Sequence, residues 1–435
     1  METSRRSFLR TATAATAAGA LLPPHLRAQD AAAPAVVSGR NLNSRIGVGF
    51  IGCGGRAGSH MGMLRDLKAG GLPIEFVSVC DVYRPRMANA QKALGAGHGT
   101  LDYRELLARP DIDLVCISTP DHWHGKQAID ALQAGKHVYC EKPVTHWRQF
   151  EVTKKLAEVS SASPCALQVG TQAMSDPVWR QMKKLVQEGL IGRPLAAEVN
   201  FFRIGDWGEA GMHVDDPNAK PGPDLDWDAF QGDAEKQPYS IERHFRWRLF
   251  DDYAGGPVTD LYPHSLTQVV DILGVGFPSE VVALGGILRY HEHPLRTVPD
   301  TCSLIAQYPE KVSISLLGTQ GNDYQATTPR GAGQGTPVIR GWDGTLTIDR
   351  NNKEIIFSPV RVSGAKAPQR IPIEGSENNH EHWKNLIACA QAGRKDTWSP
   401  MDLAFRTQTV LHMAALAARN KVVAKYNAEQ QRILL

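Results

Sequence analysis

The stretch RIGVGFIGCGGRAG, residues 45–58, decides the fold of the first half of the chain. Its apolar residues 46–51 are typical of a buried parallel strand. The strand runs directly into a G-x-G-x-x-A pattern. The first glycine of such a pattern allows a tight turn, the second lets the backbone approach a pyrophosphate, and the small third residue lets a helix pack on the strand. The pattern predicts a dinucleotide-binding βαβ unit with cofactor contacts from Gly52, Gly54, Gly55, Arg56 and Ala57.

An acidic residue after the next strand bears on which dinucleotide is bound. The strand, 74–80, is followed by Asp81, 27 residues after Gly54. A carboxylate here binds the two ribose hydroxyls of NAD and repels the extra phosphate of NADP. Arg84, three residues further on, could instead hold that phosphate. We therefore predict NAD or NADP as the cofactor, with NAD favoured.

Polar residues also follow the later strands of this domain. The run 113–118 leads into Thr119-Pro120-Asp121-His122-Trp123-His124, and the run 136–140 leads into Glu141-Lys142-Pro143. Ligands of open α/β sheets bind beyond the carboxyl ends of the strands. The predicted cofactor contacts on these segments and on the strand 166–170 are Thr119, Pro120, His122, His124, Glu141, Lys142 and Gln168.

The composition excludes several classes of protein. The 435 residues are 42% apolar and 21% charged, which is ordinary for a globular chain. A formal net charge of +3 is too small for a nucleic-acid-binding surface, so no nucleic-acid partner is expected. The sequence contains no run of ~18 apolar residues, which is the pattern that predicts a membrane span. The 7 cysteines are odd in number and form no CxxC pair, so neither a disulfide framework nor a metal site is indicated.

The N-terminus has the order of an export signal. Arg5 and Arg6 form a twin-arginine pair, a small-residue stretch follows at 11–22, and Ala28 offers a cleavage point. We predict a signal peptide at 1–28 and a linker at 29–43. The protein is then expected to be periplasmic or otherwise exported through the twin-arginine pathway.

The second half of the chain reads as a separate α/β domain. Short β-rich runs that no helical pattern interrupts predict an antiparallel sheet; they are 195–203, 281–290, 302–308, 312–317, 345–349 and 354–357. Helices are predicted at 176–187, 377–392 and 401–420. The predicted organisation is a doubly wound parallel sheet at 44–165, a second domain at 166–420 and a tail at 421–435. A long polar stretch, 205–243, is either a functional loop or a partner-binding arm.

Three segments together resemble the Gfo/Idh/MocA oxidoreductases: GFIGCGGRAG (49–58), CISTPDHWHGKQAIDALQAGKHVYCEKPVTH (116–146) and GGPVTDLYPHS (255–265). The resemblance covers about residues 44–420. It implies a Rossmann domain followed by an α/β domain with a large, open, mainly antiparallel sheet. In the family that sheet often serves as an oligomer interface, so a homo-oligomer, dimer or tetramer, is expected.

The resemblance also implies a catalytic set of Lys142, Asp260 and His264 around the reacting hydroxyl. Oxidation of an alcohol needs a base for the hydroxyl proton, and histidine can take that proton near neutral pH. Asp260 could orient His264, four residues away on one helical face. Lys142 would stabilise the developing alkoxide or, if burial lowers its pKa, act as the base itself. Pro263 predicts a helix start or kink near Asp260.

The predicted substrate is a sugar or polyol, bound by Lys142, Arg246, Trp247, Tyr262 and His264. Since free nicotinamide cofactor is scarce outside the cytoplasm, export implies that the cofactor is tightly bound and regenerated in place. Two alternatives stay open. One is an NAD-dependent glycoside hydrolase or lyase that oxidises the sugar transiently. The other is a non-catalytic sugar-binding protein on a dehydrogenase fold.

Overall fold

The computed structural model describes residues 41–205, 212–330, 334–362 and 364–435. The predicted signal peptide and most of the predicted linker lie outside these ranges. The first described domain is built on six parallel strands: β1 Ile46–Ile51, β2 Ile74–Cys80, β3 His98–Thr100, β4 Leu114–Ile117, β5 His137–Glu141 and β6 Leu167–Gly170.

The strand order of this first sheet is β3-β2-β1-β4-β5-β6. All six residues of β1 are buried, as expected for a strand covered by helices on both faces. It pairs in parallel with β2 on one side and β4 on the other. The order reverses beside β1, and in such sheets the ligand crevice lies at that point. The doubly wound fold is therefore confirmed. β6 pairs with β5, so this sheet ends at Gly170 rather than at the predicted boundary after Cys165.

The second sheet of the described residues has eleven strands: β7 Pro194–Ile204, β8 Glu280–Gly286, β9 Thr301–Gln307, β10 Ser313–Thr319, β11 Gly321–Asn322, β14 Val338–Gly341, β15 Gly344–Ile348, β16 Glu354–Pro359, β17 Gln369–Pro372, β18 Ala424–Asn427 and β19 Arg432–Leu434. Between β10 and β14 two short strands, β12 Pro329–Arg330 and β13 Gln334–Gly335, form a separate pair. In the large sheet β7 and β10 are parallel, and the other ladders are antiparallel. The expectation of a mainly antiparallel sheet is confirmed.

Two segments of this sheet differ from the sequence prediction. The predicted strand 281–290 ends at Gly286, because the next N–H groups of Leu288, Arg289 and Tyr290 donate to the Asp300 carboxylate instead of to a neighbouring strand. The predicted tail 421–435 contains β18 and β19, and β18 pairs with β8. These strands are too short to give a periodic signal of their own.

Twelve α-helices are described: α1 Gly55–Ala69, α2 Arg84–Leu94, α3 Tyr103–Leu107, α4 Asp121–Gln133, α5 Phe150–Ala162, α6 Pro177–Gln187, α7 Trp227–Gln231, α8 Ile241–Phe245, α9 Pro257–Asp260, α10 Tyr262–Leu273, α11 Asn379–Gln391 and α12 Met401–Asn420. Helices α6, α10 and α12 share a hydrophobic core with the inner face of the second sheet. Helix α11 returns to the first domain, where Trp383, Leu386 and Ile387 join the core beneath α1. Within the described ranges no helix combines the length and apolar character needed to cross a bilayer.

The segment around Asp260 contains the predicted helix break. Helix α9 ends at Asp260, Leu261 separates it from α10, and Pro263 lies in the first turn of α10, where a missing N–H costs nothing. Asp260 and His264 therefore belong to two helices. The explanation that they share one helical face is wrong, although both line the same cleft.

Tyr262 occupies the core of the second domain. Its side chain is fully buried, and its hydroxyl donates to the backbone carbonyl of Cys302 on β9. The ring lies so close to β10 that a Cβ on Gly318 would be 2.5 Å from the Tyr262 hydroxyl oxygen. The prediction that Tyr262 binds substrate is wrong, because its single polar group is used inside the core.

The Tyr262→Phe variant should lower the free energy of unfolding by about 1 kcal/mol, since a buried hydrogen bond is lost without a change in ring packing. The KM for the predicted sugar or polyol substrate should not change. Urea unfolding and steady-state kinetics measure the two effects. Tyr426→Phe is the matched control, because the buried Tyr426 hydroxyl has no hydrogen-bond partner among the described residues. Wild-type stability with a raised sugar KM in Tyr262→Phe would contradict this assignment.

Candidate active site

A cleft of about 1450 Å³ lies at the carboxyl ends of the first sheet's strands and is closed on its other side by α9, α10 and the polar stretch after β7. We call residues 212–248, which include most of the polar stretch 205–243, the insertion. The cleft joins most of the predicted cofactor residues of the first domain to Lys142, Asp260 and His264; Ala57, Arg84, His122 and Gln168 do not line it. One continuous space is thus large enough for a dinucleotide and a small substrate.

The glycine turn after β1 forms one end of the cleft. Gly52 has a φ of +84°, and a Cβ there would lie 2.8 Å from the backbone carbonyl of Ser118. Only glycine fits this position. Helix α1 begins at Gly55, so its first N–H groups face the cleft and can bind a pyrophosphate. These features fit a dinucleotide whose phosphates lie over the turn.

Asp81 is placed as predicted, at the end of β2. Its carboxylate accepts hydrogen bonds from the N–H groups of Cys53, 2.8 Å away, and Tyr83, 2.9 Å away. Burial raises the pKa of Asp81. The carboxylate thus braces the glycine turn and lines the cleft where the adenosine ribose would lie.

Arg84 does not contribute to the cleft as predicted. Its guanidinium is exposed and pairs with Asp224 at 2.9 Å. Of the two arginines in α2, the one that lines the cleft is instead Arg86, two residues further along the helix. Because a helix advances about 100° per residue, the two side chains point in different directions.

Lys142 and Asp260 form the central ion pair of the cleft. Lys142 Nζ lies 2.8 Å from Asp260 Oδ1 and also donates to the Asp260 backbone carbonyl. Burial opposes ionisation of Asp260, but the charges of Lys142 and Arg248 outweigh it and hold the pKa of Asp260 well below its usual value. Arg248 Nε is 3.5 Å from the same carboxylate. Asp260 therefore holds Lys142 in place; no described hydrogen bond joins Asp260 to His264.

His264 lines the cleft beside this pair. Burial, and then the charge of Lys142, lower the pKa of His264 to about 3, so the imidazole is neutral at pH 7. Its Nδ1 is buried and has no hydrogen-bond partner among the described residues. A neutral ring nitrogen with no other partner can accept a proton or a hydrogen bond from a ligand.

Glu141 is the centre of a polar cluster behind Lys142. Its Oε1 accepts hydrogen bonds at 2.8 Å each from Arg56 Nε, His60 Nε2 and Gln172 Nε2. Burial opposes ionisation, yet the charge of Arg56 and the bond from His60 keep the pKa of Glu141 well below its usual value. Glu141 and Arg56 both line the cleft, but their charged groups are already paired with each other. The pairing fixes the position of Glu141, which directly precedes Lys142 in the sequence.

The two predicted histidines after β4 connect segments of the fold. His124 lies on the cleft wall, with Nδ1 2.6 Å from the Pro143 carbonyl and Nε2 2.7 Å from the Thr119 carbonyl. Burial lowers the pKa of His124, and the two carbonyl contacts oppose that shift. His122 Nε2 donates to the carbonyl of Phe230 in the insertion, 2.9 Å away. Thr119 and Pro120 line the cleft as predicted.

Two further predicted residues lie elsewhere. Gln168 Nε2 donates to the His382 carbonyl at 2.6 Å, so this amide ties β6 to α11 and is not a cofactor contact. Arg246 is not among the residues that line the cleft in the described ranges, whereas its neighbours Trp247 and Arg248 are. The predictions for Gln168 and Arg246 are wrong for the same reason: the face of the element was not fixed by the sequence pattern.

The sequence indicates a functional loop or a partner-binding arm at 205–243 but names no cleft residue within it. Met212, Asp215, Phe230 and Lys236 are among the residues of the insertion on the cleft wall. Two aromatic residues of the insertion, Trp227 and Trp247, form a small core with Phe250 and Tyr253. That aromatic content was the signal of a folded segment. In the part of the chain that the structure describes, no group of three His, Cys, Asp or Glu side chains is placed to hold a metal ion.

Comparisons with known proteins agree with this geometry. Residues 46–171 match the family model of the Gfo/Idh/MocA oxidoreductases described as an NAD-binding Rossmann fold, and residues 175–283 match that of their C-terminal α/β domain. Levoglucosan dehydrogenase of Pseudarthrobacter phenanthrenivorans is 31% identical over 197 residues, 43% of this chain and 45% of the relative. The α-N-acetylgalactosaminidase of Shewanella oneidensis is 35% identical over 226 residues, 47% of each chain. The chain thus spans about half the length of the curated relatives it matches.

Solved structures extend the likeness to most of the fold. Levoglucosan dehydrogenase in complex with NADH superposes with a TM-score of 0.64 at 18% identity, over 87% of this chain and 98% of that one. The WlbA dehydrogenase from Bordetella pertussis, in complex with NADH and UDP-GlcNAcA, gives a TM-score of 0.63 at 20% identity, over 88% and 99%. At these identities the likeness shows the fold. Since the two family models match both the glycine turn and the helices that carry Asp260 and His264, this chain belongs to the Gfo/Idh/MocA family of oxidoreductases, and its first domain is an NAD-binding Rossmann fold.

Proposed function

We propose that the protein is an exported NAD-dependent oxidoreductase that moves a hydride between a hydroxyl-bearing carbon of a sugar or polyol and the nicotinamide. The observation that carries this proposal is the ion pair of Lys142 and Asp260 beside the unpartnered Nδ1 of His264, in the cleft that the glycine turn closes. A charged hydrogen-bond donor and a neutral proton acceptor then face the same cleft, which is the arrangement that alcohol oxidation requires.

The chain's own residues divide the chemistry between them. Lys142, held by Asp260, donates a hydrogen bond to the substrate oxygen and stabilises the negative charge that develops on it. His264 accepts the hydroxyl proton at the ring nitrogen that is unprotonated in the neutral imidazole. NAD, when bound, supplies the acceptor for the hydride that leaves carbon. In the reverse direction His264 returns the proton to the oxygen.

The proposed substrate class rests on the relatives and on the cleft wall. Levoglucosan dehydrogenase and WlbA are named for, or bound to, sugar compounds. On this chain Trp247 and Arg248 line the substrate end of the cleft, and Arg248 stacks on the Trp247 ring with 4.2 Å between Cζ and the centroid. A guanidinium on the cleft wall, held against an aromatic ring, suits the hydroxyl groups of a sugar.

Export and cofactor retention form one linked part of the proposal. The twin arginines Arg5 and Arg6 support passage through a pathway that carries folded proteins. The insertion supports retention, because it lies across the cofactor cleft and is fixed to the first domain at His122 and Trp123 through the Phe230 carbonyl. A cofactor that stays bound favours a redox-neutral cycle, in which one sugar is oxidised and another is reduced.

A glycoside hydrolase is the second candidate function. The 35% identity to the α-N-acetylgalactosaminidase favours it, as does 34% identity over 158 residues to a glycosyl hydrolase family 109 protein of Shewanella baltica. In that chemistry the sugar is oxidised, the glycosidic group is eliminated, water adds, and the sugar is reduced again. Cleavage of a nitrophenyl glycoside with no net NADH would identify this cycle, whereas NADH formed from a free sugar identifies the dehydrogenase.

We also propose a homo-oligomer formed through the second sheet. Val282, Leu284, Ile305 and Leu317 project from the face of that sheet opposite the helices, and Leu284 is 73% exposed. Contiguous exposed apolar side chains on a sheet are typical of an interaction surface.

The Lys142→Met variant should lower the rate of sugar oxidation at least about 100-fold while NADH still binds, because the oxygen loses its charged donor. Steady-state rates and NADH fluorescence titration measure the two quantities. Lys126→Met is the matched control: Lys126 also lines the cleft, but it pairs with Asp130 at 2.8 Å. If the wild-type protein and Lys142→Met bind sugar equally and the wild-type protein shows no turnover, the result would instead support the non-catalytic sugar-binding alternative.

The chain produced from Asp30 in the cytoplasm, without added cofactor, should release close to one nicotinamide nucleotide per protein when it is denatured. The physical reason is that the insertion covers the bound nucleotide. Mass spectrometry and absorbance of the released material measure its identity and amount. A nucleotide-free protein that turns over only with added NAD would contradict retention but leave the dehydrogenase proposal standing.

A further inference from the structure

The insertion approaches the first domain just after β2, where the adenosine ribose of a dinucleotide lies in a Rossmann fold. Two main-chain hydrogen bonds fix it there. Arg84 N–H donates to the Asp224 carbonyl at 2.8 Å, and Asp226 N–H donates to the Val82 carbonyl at 3.0 Å. The position of the insertion relative to Asp81 is therefore set by backbone contacts.

An ion pair joins the two segments on the cleft wall. Arg86 Nε lies 2.5 Å from Asp215 Oδ2, and both residues line the cleft. The Arg86 guanidinium also packs over the Phe245 ring, 5.2 Å from its centroid. A Cβ on Gly54 would lie 3.6 Å from Arg86 Nη1, which places the guanidinium beside the glycine turn. Arg86 is thus held from two sides by the insertion.

An arginine near the acidic residue of a Rossmann ribose site is the group that accommodates the 2′-phosphate of NADP. In this chain that arginine is Arg86, and it is already paired with the Asp215 carboxylate. A 2′-phosphate entering here would meet the carboxylates of Asp81 and Asp215, and the guanidinium of Arg86 is already paired. Like charges brought together in a partly buried site weaken binding substantially.

We propose that Asp215, on the insertion of the second domain, selects NAD over NADP by occupying Arg86 and repelling a 2′-phosphate. This inference rests on the proposed use of a nicotinamide cofactor and deepens it. Cofactor choice is then divided between Asp81 in the Rossmann domain and a residue more than a hundred positions later in the chain.

The test is a fluorescence titration of nucleotide-free protein with NADH and with NADPH. Asp215→Asn should increase the affinity for NADPH about 10-fold, because Arg86 is released for a charge-assisted bond to the phosphate. The affinity of Asp215→Asn for NADH should change by less than about 3-fold. A change that small does not correspond to the gain or loss of a charged contact. Asp224→Asn is the matched control. It breaks the similar Arg84–Asp224 pair, which is exposed and lies outside the cleft.

A double variant tests whether the gain in NADPH affinity depends on Arg86. Arg86→Gln combined with Asp215→Asn should cancel the gain in NADPH affinity. The proposal is overturned if Asp215→Asn leaves the NADPH to NADH affinity ratio unchanged, if Asp224→Asn shifts the ratio equally, or if the double variant keeps the gain. Because binding is measured without turnover, failure of sugar oxidation does not affect the result. Wild-type protein that binds neither nucleotide would overturn the proposed function itself.

Discussion

The ion pair between Lys142 and Asp260 joins the two domains at the point where their elements meet. Lys142 follows the last residue of β5, in the first sheet, and Asp260 ends α9, in the second domain. Lys142 and Asp260 are both largely buried, and each compensates the charge of the other, with Arg248 as a second partner of Asp260. The relative placement of glycine turn, lysine and histidine therefore depends on this contact.

Each partner of the pair has its own support. Glu141 is fixed by Arg56 and His60, and His124 contacts both the Pro143 carbonyl beside Lys142 and the Thr119 carbonyl after β4. The α9–α10 break presents Asp260 and His264 from two short helix ends instead of one continuous surface. The result is a preorganised donor and acceptor, which is the form of electrostatic stabilisation that costs no reorganisation during reaction.

The sequence predicts the parts of this structure that depend on local pattern. The buried run before Gly52 specifies β1, and Pro263 specifies the helix break. Parts set by tertiary contacts are not predictable in that way. Periodicity does not tell whether Arg84 or Arg86 faces the cleft, and nothing local distinguishes Tyr262 in the core from a substrate ligand. Strands β18 and β19 form because an edge of the second sheet is available to pair with them.

The insertion also has a kinetic consequence. Main-chain bonds fix it to Val82 and Arg84 after β2, and side-chain bonds fix its Phe230 carbonyl to His122 and Trp123. For a molecule whose exit from the cleft requires the insertion to move, these bonds must open first. Its residence time is then governed by the local unfolding equilibrium of one segment, and not by the strength of its own contacts alone. Loading is subject to the same barrier, so the order in which the chain folds and acquires its nucleotide becomes part of how the holoprotein is made.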